Sequence, residues 1–522
     1  MSTAPAVGTA PGTARVPEKA DVTAWLAVVA GSLGALLATL DISIVNSSLP
    51  TIQGEIGATP SEGTWIATAY LVAEIIVIPL SAWLERLLGL RTLLLAATVL
   101  FTGFSVVCGL STTLMMMIIG RAGQGLTGGV LIPTALTIIA TRLPPRQQPI
   151  GTALFGVTAI IGPVVGPLVG GWLTINLSWH YAFFINVPVS AVLIGLLLLG
   201  LPHQRANLDE LRNADWLGIA GLALGLGGLT IVLEEGQREQ WFESAEIIRL
   251  TLLTILGFLL LAAGQLLAKK PVIRLKLLFD RQFGSVFVMA VVTGVVLYGT
   301  AFVIPQFLAA IAGYDALQAG EVVLLSGIPS IILMFFAPLL IRYVDVRIAV
   351  AFGLLVMALS CWIDRGLTTF SDGSAFTESQ LLRGVGQIFV MLFLNQAAIR
   401  SVPTKYAGDA SGLYNAARNL GGSIGLALLG TLQEQRMWLH ARRIEESVQA
   451  NSAAVQEYLG GMSQTLGGSE AALMSLAGEI QQQALAMTYG DLFFMLAVGT
   501  VSVVPLVLFL RPLPKGDLAA MH

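Results

Sequence analysis

The sequence predicts an all-α polytopic membrane protein. Of its 522 residues 55% are hydrophobic and only 11% are charged, and the mean hydropathy is +0.80. Soluble domains carry roughly 25% charged residues, so this composition excludes an ordinary soluble protein. A second observation is a series of about 14 apolar runs, each near the 20 residues that a helix needs to cross a bilayer. These runs begin near Trp25, Trp65, Thr92, Leu114, Ile150, Ala182, Trp216, Ile247, Ser285, Glu321, Ile348, Gln380, Ala410 and Tyr489.

The distribution of basic residues predicts the orientation in the membrane. Short cytoplasmic connections are enriched in Lys and Arg. Here the basic residues fall in alternate connections, whereas the loops at 51–64 and 312–320 have none. Arg15 and Lys515, near the two ends of the chain, fall on the basic side because the number of spans is even. We therefore expect both termini to be cytoplasmic.

The order of the spans predicts two bundles of six helices with two additional central helices, 14 in total. A polar linker at 202–215 precedes the inserted pair, and a basic amphipathic segment at 269–283 follows it and is expected along the inner membrane surface. The predicted domains are a cytoplasmic tail at 1–23, a six-helix bundle at 24–201, the linker with the two additional helices at 202–284, a second six-helix bundle at 285–511, and a cytoplasmic tail at 512–522.

Weak internal symmetry supports this division. The fourth span of each bundle carries an arginine near glycine and glutamine, with Arg121 and Gln124 in the first bundle and Arg383 and Gln387 in the second. Parallel repeats of this kind are typical of transporter folds.

One connection, at 433–487, is too long for a simple turn. It holds charged residues among Ala, Gln and Leu at helical spacing, which predicts helices that stand outside the membrane on the outer side. Long loops in compact proteins usually carry a function, so this segment is either a docking surface or a cap.

Three charged residues in the first bundle are expected at one depth. Asp41 lies about nine residues before the outer end of the first span, Glu74 about nine after the start of the second, and Arg121 about eight into the fourth. At 1.5 Å of rise per residue, all three lie roughly 12 to 14 Å below the outer surface. Intramembrane charges are costly and are commonly functional. Arg121 could instead reach the surface along its stem or form a structural pair, and Asp41 could merely fix a helix end.

These three residues are the predicted proton-coupling group. A carboxylate in apolar surroundings favours its protonated form, whereas a nearby arginine keeps it ionised. Movement of a helix or substrate between Arg121 and the acids could therefore load or release a proton. The hypothesis assigns Asp41 as main carrier, and Glu74 as second carrier or as a recognition site for cationic substrates.

Other polar residues in the spans could line a substrate cavity or form hydrogen bonds between helices. The candidates for the cavity are Asn46, Gln124, Tyr298, Gln306, Asn395, Gln396, Tyr414, Asn415 and Arg418. Among those of the second bundle, Arg418 has the stronger functional case because its charge lies about ten residues inside its span.

The fifth span combines glycines four residues apart with two prolines. The glycines form a flat stripe that allows close approach of another helix, and the prolines bend the span. We expect a conformational seam between the two bundles, made by Gly162, Pro163, Gly166, Pro167, Gly170 and Gly171.

Signals for enzymatic chemistry are weak. Gly421, Ser423 and Gly425 fit a G-x-S-x-G pattern, but they lie inside a helical span rather than at a strand-to-helix turn. The sequence contains no metalloprotease motif, phosphate-binding glycine loop or histidine cluster. We therefore expect no metal or cofactor and an ion gradient as the energy source. A non-transporting membrane enzyme or sensor that uses Ser423 is a remote alternative.

Four motifs can be compared with known families: Leu40 to Pro50, Arg121 with Gln124 and Gly125, the proline- and glycine-rich fifth span, and Phe184 to Pro188. In combination they resemble the major facilitator superfamily, specifically its 14-helix EmrB/QacA-like drug:proton antiporters. The loop after the second span departs from the family pattern G-x-L-x-D-R-x-G, since its first glycine is missing and its acid–base pair comes one residue early. The inner-gate residues that carry over are Arg86, Gly89 and Arg91.

The resemblance implies a major facilitator fold and a function. The expected function is proton-coupled export of hydrophobic or amphipathic compounds across a bacterial inner membrane by alternating access. The long outer loop resembles that of EmrB-type exporters, which implies a periplasmic EmrA-like adaptor and an outer-membrane TolC-like channel as partners. The nearest alternative is a proton-coupled uptake symporter of a small organic solute with the same fold.

Overall fold

The computed structural model describes residues 19–268, 270–403, 406–448, 452–466 and 468–511. The two predicted tails therefore lie largely outside the described residues, as do Arg15 and Lys515. Within those ranges all regular secondary structure is helical. The helices of the first half are α1 (Val22–Ile56), α2 (Pro60–Gly63), α3 (Trp65–Leu88), α4 (Leu90–Gly109), α5 (Leu114–Arg142), α6 (Gln148–Asn176), α7 (Tyr181–Phe184), α8 (Asn186–Gly200), α9 (Leu208–Arg212), α10 (Trp216–Glu235) and α11 (Ala245–Leu267).

The described part of the second half is also helical. Its helices are α12 (Arg281–Ala310), α13 (Ala316–Leu324), α14 (Gly327–Phe335), α15 (Ala337–Tyr343), α16 (Val346–Asp364), α17 (Thr377–Arg400), α18 (Ala407–Ser447), α19 (Ala453–Leu466) and α20 (Ser469–Ser502). Short 3-10 turns occur at Trp241–Glu243, Leu275–Phe279, Gly373–Phe376 and Val504–Phe509. The basic segment before α12 thus forms a short turn, with Val272 and Ile273 buried.

The number of spans comes close to the predicted 14. Among the described residues, 12 helical stretches are long and apolar enough to cross a membrane, and α6 makes 13 if its two arms form one span. The arms of α6 meet at an angle of 41° next to Pro163, where a proline removes a backbone donor. The remaining predicted span, from Ala410, lies in α18, which carries Asp409 and Arg418 and is not among the 13.

Helix ends in the first bundle are fixed by local capping. Asp21 precedes α1 and accepts a hydrogen bond from the Ala24 amide at 2.8 Å, and Gly57 ends the helix with φ of +74°. Thr113 precedes α5 and accepts from the Met116 amide at 3.3 Å. The Asp21 and Thr113 side chains satisfy backbone donors that the first turn leaves free, whereas the Gly57 amide donates to the Gln53 carbonyl at the other end of α1. These caps set where on each helix the charged side chains fall.

The helices pack as two groups joined by a pair. In the first group α1 packs along α5, α6 and α8, and α3 packs along α5. In the second, α12 packs along α18, while α16 packs along α17 and α20. Helices α10 and α11 pack on each other, and α10 also contacts α3 of the first group and α18 of the second. The inserted pair is therefore in contact with both bundles.

The segment at 433–487 extends the last helices rather than forming an irregular loop. At 1.5 Å per residue, the 41 residues of α18 span about 60 Å, about twice the thickness of the hydrocarbon core. Helix α19 packs against α20, and the Tyr458 hydroxyl donates to the Glu479 carboxylate at 2.5 Å. That hydrogen bond raises the pKa of Tyr458. The described part of 433–487 is thus helical, and α18 is longer than a membrane span requires.

Candidate functional site

Asp41 of α1 and Arg121 of α5 form a buried ion pair. The Arg121 Nη1 atom lies 2.6 Å from Asp41 Oδ2, and the two side chains are 1% and 0% exposed. Arg121 also donates from Nε to the Ile66 carbonyl at 3.1 Å, and its guanidinium lies over the Tyr70 ring at 4.3 Å from the ring centroid. Two of the three residues in the predicted coupling group are therefore in direct contact.

Three neutral side chains complete this arrangement. Gln124 donates to Asp41 Oδ1 at 2.9 Å and accepts from Arg121 at 3.0 Å. Asn186, at the start of α8, donates to the same carboxylate oxygen at 2.6 Å. Ser105 of α4 accepts from Gln124 at 2.7 Å and from Asn186 at 3.1 Å. We call these five residues the Asp41 cluster; it joins α1, α4, α5 and α8.

Sequence reasoning missed the last two members of the cluster. Asn186 was noted only as part of a motif, and Ser105 gave no signal because a single serine in an apolar span commonly bonds its own helix. The cluster satisfies both oxygens of Asp41, which is what a buried carboxylate requires.

Glu74, the third predicted member, lies apart from this cluster. Its side chain is 2% exposed, and no hydrogen bond joins its carboxylate to another described residue. Instead it lines a small cavity of about 20 Å³, and it interacts electrostatically with Arg418 and with Arg121. Equal depth did not bring Glu74 to Asp41, because the rise along a helix fixes height and not the direction of a side chain.

The cavity beside Glu74 contains a further acid that sequence reasoning missed. Glu234, next to the last residue of α10, lines it together with Tyr298 of α12 and Ser423 of α18. Ser423 lines the cavity beside Glu234, and Glu234 Oε1 is buried without a hydrogen-bond partner among the described residues. An acid at the end of an apolar run is typical of a helix end at the membrane surface, so the position of Glu234 in the sequence does not indicate a buried site.

The remaining cavity candidates are spread over the molecule. Asn46 is exposed and Gln306 is half-buried, and neither lines this cavity. Gln396 donates to Thr152 at 2.9 Å, a contact between α17 and α6.

The candidates on α17 and α18 are mostly buried. Asn415 donates to the Ser411 carbonyl at 2.9 Å, and Tyr414 is 2% exposed. Asn395 Oδ1 and Arg418 Nε are buried and have no hydrogen-bond partner among the described residues. Of the nine candidates, the structure brings Tyr298 and Arg418 together with Glu74 and places Gln124 in the Asp41 cluster.

Ser423, the residue behind the remote enzymatic alternative, lies in the middle of α18. It lines the cavity beside Glu234, and the described residues that line this cavity include no histidine. Its glycine neighbours serve packing: a Cβ at Gly421 would meet the Val291 backbone, and one at Gly425 would meet the Val295 backbone at 2.9 Å. The motif is therefore a helix-packing surface.

The glycine stripe of α6 faces a different neighbour from the one expected. A Cβ at Gly162, Gly166 or Gly170 would meet Thr39, Ser43 or Ser47, all on α1 of the same bundle. The seam with the second bundle was expected along this stripe. Helices α13 to α15 do contact α6, and Gly156, which precedes the stripe, faces Met334 of α14. The stripe itself faces α1 because α1 and α6 are neighbours in one bundle, and their close approach needs the small residues.

The predicted inner-gate residues lie at one end of the bundles. Arg86 of α3 lies 3.4 Å from Asp409 of α18, an ion pair between the two bundles, and Arg274 lies 3.3 Å from the same carboxylate. Arg91 donates to the Leu201 carbonyl at 3.0 Å, within the first bundle. Gly89 separates α3 from α4 with φ of +77°, a conformation that glycine adopts without strain.

The second bundle contains its own buried ion pair. Arg383 of α17 lies 2.6 Å from Asp364 Oδ2, and the two side chains are 4% and 0% exposed. Gln380 accepts from Arg383 at 3.0 Å. The sequence pointed to Arg383 but not to Asp364, the last residue of α16.

Comparisons with known proteins agree on the family. A family model described as the Major Facilitator Superfamily matches residues 31–426. The Colistin resistance protein EmrB of Acinetobacter baumannii is 32% identical over 93% of this chain and 95% of that protein. The Multidrug export protein EmrB of Escherichia coli K12 is 32% identical over 93% of this chain and 94% of its own length. The Fatty acid resistance protein FarB of Neisseria gonorrhoeae is 28% identical over 95% of this chain and 97% of its own length.

Solved structures show the same fold at greater distance. The proton:xylose symporter XylE superposes with a TM-score of 0.57 and 15% identity, over 91% of this chain and 94% of that one. The family match, the two relatives at 32% identity and the series of apolar helices lead to one conclusion. The chain is a multi-pass membrane transporter, not an enzyme, and it belongs to the major facilitator superfamily, among its EmrB-type multidrug transporters.

Proposed function

We propose that this protein is a proton-coupled exporter of hydrophobic or amphipathic compounds, which acts across a bacterial inner membrane by alternating access with both termini in the cytoplasm. The observation that carries the proposal is the Asp41 cluster, a buried carboxylate whose charge is held by Arg121 at 2.6 Å. The names of the relatives, which refer to multidrug export and to resistance against colistin and fatty acids, support the direction of transport.

The cluster couples a proton to helix packing through charge. Arg121, Gln124 and Asn186 all donate to Asp41, and charge-assisted hydrogen bonds are roughly twice as strong as neutral ones. Protonation of Asp41 removes the acceptor charge, weakens these three contacts and leaves Arg121 without its counter-ion. Since the donors come from α5 and α8, the proton changes how α1 is held within its bundle.

The ion pairs of Asp409 supply the second element of an alternating-access cycle. Arg86 belongs to the first bundle and Arg274 to the segment after the inserted pair, and both contact Asp409 of the second bundle. These contacts must break when the bundles separate at that end. Because the arginines are 39% and 46% exposed whereas the carboxylate is 2% exposed, separation returns a buried charge to water.

The outer helices fit the proposed partners. Helices α18 and α20 extend beyond the span length and support α19, which offers a helical surface to a periplasmic EmrA-like adaptor. Such an adaptor would in turn contact a TolC-like outer-membrane channel. Deletion of 449–468 should abolish resistance in cells and leave transport by the purified protein in place.

The test of the proposal is transport in proteoliposomes that contain only this protein, with an imposed pH gradient and a lipophilic dye. We expect the parent to move the dye against its concentration gradient while protons flow the other way. Asp41→Asn should abolish the coupled movement, because the amide carries no titratable proton. Dye and protons moving in the same direction would favour an uptake symporter, and intact coupling in Asp41→Asn would contradict the assigned role.

A further inference from the structure

The cavity beside Glu74 lies where three parts of the molecule meet. Glu74 comes from α3 of the first bundle, Glu234 from α10 of the inserted pair, and Tyr298 and Ser423 from the second bundle. Its volume of about 20 Å³ is enough for about one water-sized group. The inserted pair therefore contributes a charged side chain to a site between the bundles.

The two acids of this cavity are incompletely satisfied. Glu74 is 2% exposed and has no hydrogen bond to another described residue. Glu234 Oε1 is likewise buried without a hydrogen-bond partner among the described residues. A buried acceptor without a donor costs about 1 to 3 kcal/mol, and more if it is charged. Arg418 and Arg121 both act on Glu74 through their charge, but Arg121 is already paired with Asp41. Two carboxylates are therefore matched by one cation that has no other ion pair among the described residues, and neither carboxylate accepts a hydrogen bond from it.

A primary ammonium group meets both needs. It is compact, carries one positive charge and presents three N–H donors with no acceptor. The planar guanidinium group is larger than a water molecule, and an anion would be repelled by the carboxylates. Leu71, Ile75 and Leu426 also line the cavity, and they suit the first methylenes of an alkyl chain attached to the ammonium.

The adjacent acid on α10 shows what a satisfied carboxylate looks like here. Glu235 forms an ion pair with Arg238 at 2.5 Å and accepts from Thr68 at 3.3 Å. Glu235 therefore helps to hold α10 of the inserted pair against α3. Glu234, one residue earlier, faces the cavity instead.

We propose that Glu234, together with Glu74, binds the ammonium group of an amphipathic substrate at the junction of the two bundles and the inserted pair. The inserted pair is then part of the substrate site rather than a spacer. This inference rests on the proposed exporter function in one respect, since the body of the substrate needs the bundles to part beside the cavity.

The experiment compares three ligands with the same eight-carbon tail. Octylammonium, octan-1-ol and octanoate are titrated into the purified full chain in nanodiscs by isothermal titration calorimetry, with no ion gradient. We expect octylammonium to bind about tenfold or more tightly than octan-1-ol, the ratio that about 1.5 kcal/mol from charge-assisted hydrogen bonds provides. Octanoate should bind most weakly.

Substitutions of Glu234 test whether this residue causes the preference for octylammonium. Glu234→Gln should reduce the octylammonium to octan-1-ol ratio about fivefold or more, with octan-1-ol binding unchanged as the check on folding. Glu243→Gln removes an exposed acid from the outer loop of the same pair and should leave the ratio at the parental value. If Glu234→Gln fails to fold, Glu234→Asp, which withdraws the carboxylate by one methylene, should give an intermediate ratio.

Two results would overturn the inference: a parental ratio near one, or a ratio that neither Glu234 variant lowers. Because no gradient is applied, these results do not depend on whether the protein couples transport to protons. Loss of proton coupling in proteoliposomes with an intact ammonium preference would instead contradict the proposed function and leave this site standing.

Discussion

Each bundle buries one aspartate against the arginine of its fourth span, but the two pairs are built differently. Arg121 meets Asp41 and Arg383 meets Asp364, both at 2.6 Å. In the first bundle both Asp41 oxygens and Arg121 Nε have partners. In the second, Asp364 Oδ1 and Arg383 Nε are buried without a partner among the described residues.

The partner helices also differ. Asp41 lies 20 residues into α1, in the middle of its span, whereas Asp364 is the last residue of α16. The first pair joins the first and fourth spans of its bundle, and additional donors to Asp41 come from Gln124 of α5 and Asn186 of α8. The second joins two helices that are consecutive in the chain. The arginine lies on the fourth span of each bundle, but its acidic partner comes from the first span in one bundle and from the third in the other. This difference argues for different roles of the two ion pairs.

The largest expected difference is in transport. Asp41→Asn should reduce pH-gradient-driven dye uptake in proteoliposomes to the level of empty vesicles, whereas Asp364→Asn should keep most of it. The physical reason is that only Asp41 has donors from several helices whose contacts depend on its charge. Equal loss in the two variants, at equal amounts of folded protein, would show that both acids couple protons.

This comparison also shows how far the sequence could lead. Apolar runs were enough to predict the helical membrane fold, and the positions of Asp41 and Arg121 were enough to make their contact an option. The directions of side chains were not accessible, so Glu74 was expected beside Asp41 and the glycines of α6 beside the second bundle. Two acids at the ends of spans, Asp364 and Glu234, were missed because burial of a helix end depends on which neighbour covers it.

A second difference should appear in stability. Arg121→Met leaves Asp41 buried without its cation, and removal of one partner of a buried pair costs about 3 to 5 kcal/mol. Arg383→Met should cost less, about 1 to 3 kcal/mol, because Asp364 Oδ1 already lacks a partner among the described residues and the residue lies at the end of its helix. Thermal unfolding in detergent measures both.

The two stability losses show which ion pair contributes more to the stability of the fold. A larger loss in Arg383→Met than in Arg121→Met would mean that the second pair is the main structural tie, in spite of its unsatisfied atoms. Methionine is used because it keeps much of the apolar volume of the arginine stem, so lost packing contributes little.

The smallest expected effect concerns how the Asp41 helix is positioned. A Cβ at Gly166 would meet Ser43 and lie 3.3 Å from the Ile44 amide nitrogen of α1, whereas one at Gly171 meets nothing within 4 Å. Gly166→Ala should therefore destabilise the protein by about 1 to 2 kcal/mol through overpacking. Gly171→Ala, a matched control on the same helix, should be neutral or stabilising by up to about 1 kcal/mol, since alanine favours the helix.

The same two variants separate packing from coupling. In the second bundle the close approach is between Gly353 and Gly386, which lie on the two helices that carry the ion pair themselves. In the first bundle, α6 carries neither residue of the ion pair but packs against α1, which carries Asp41. A shift of α1 caused by a larger side chain on α6 should therefore change the contact between Asp41 and Arg121. Gly166→Ala is thus expected to lower proton-driven uptake by more than the loss of folded protein, measured from its thermal midpoint, accounts for. If its uptake equals that of Gly171→Ala, α6 contributes to packing and not to proton coupling.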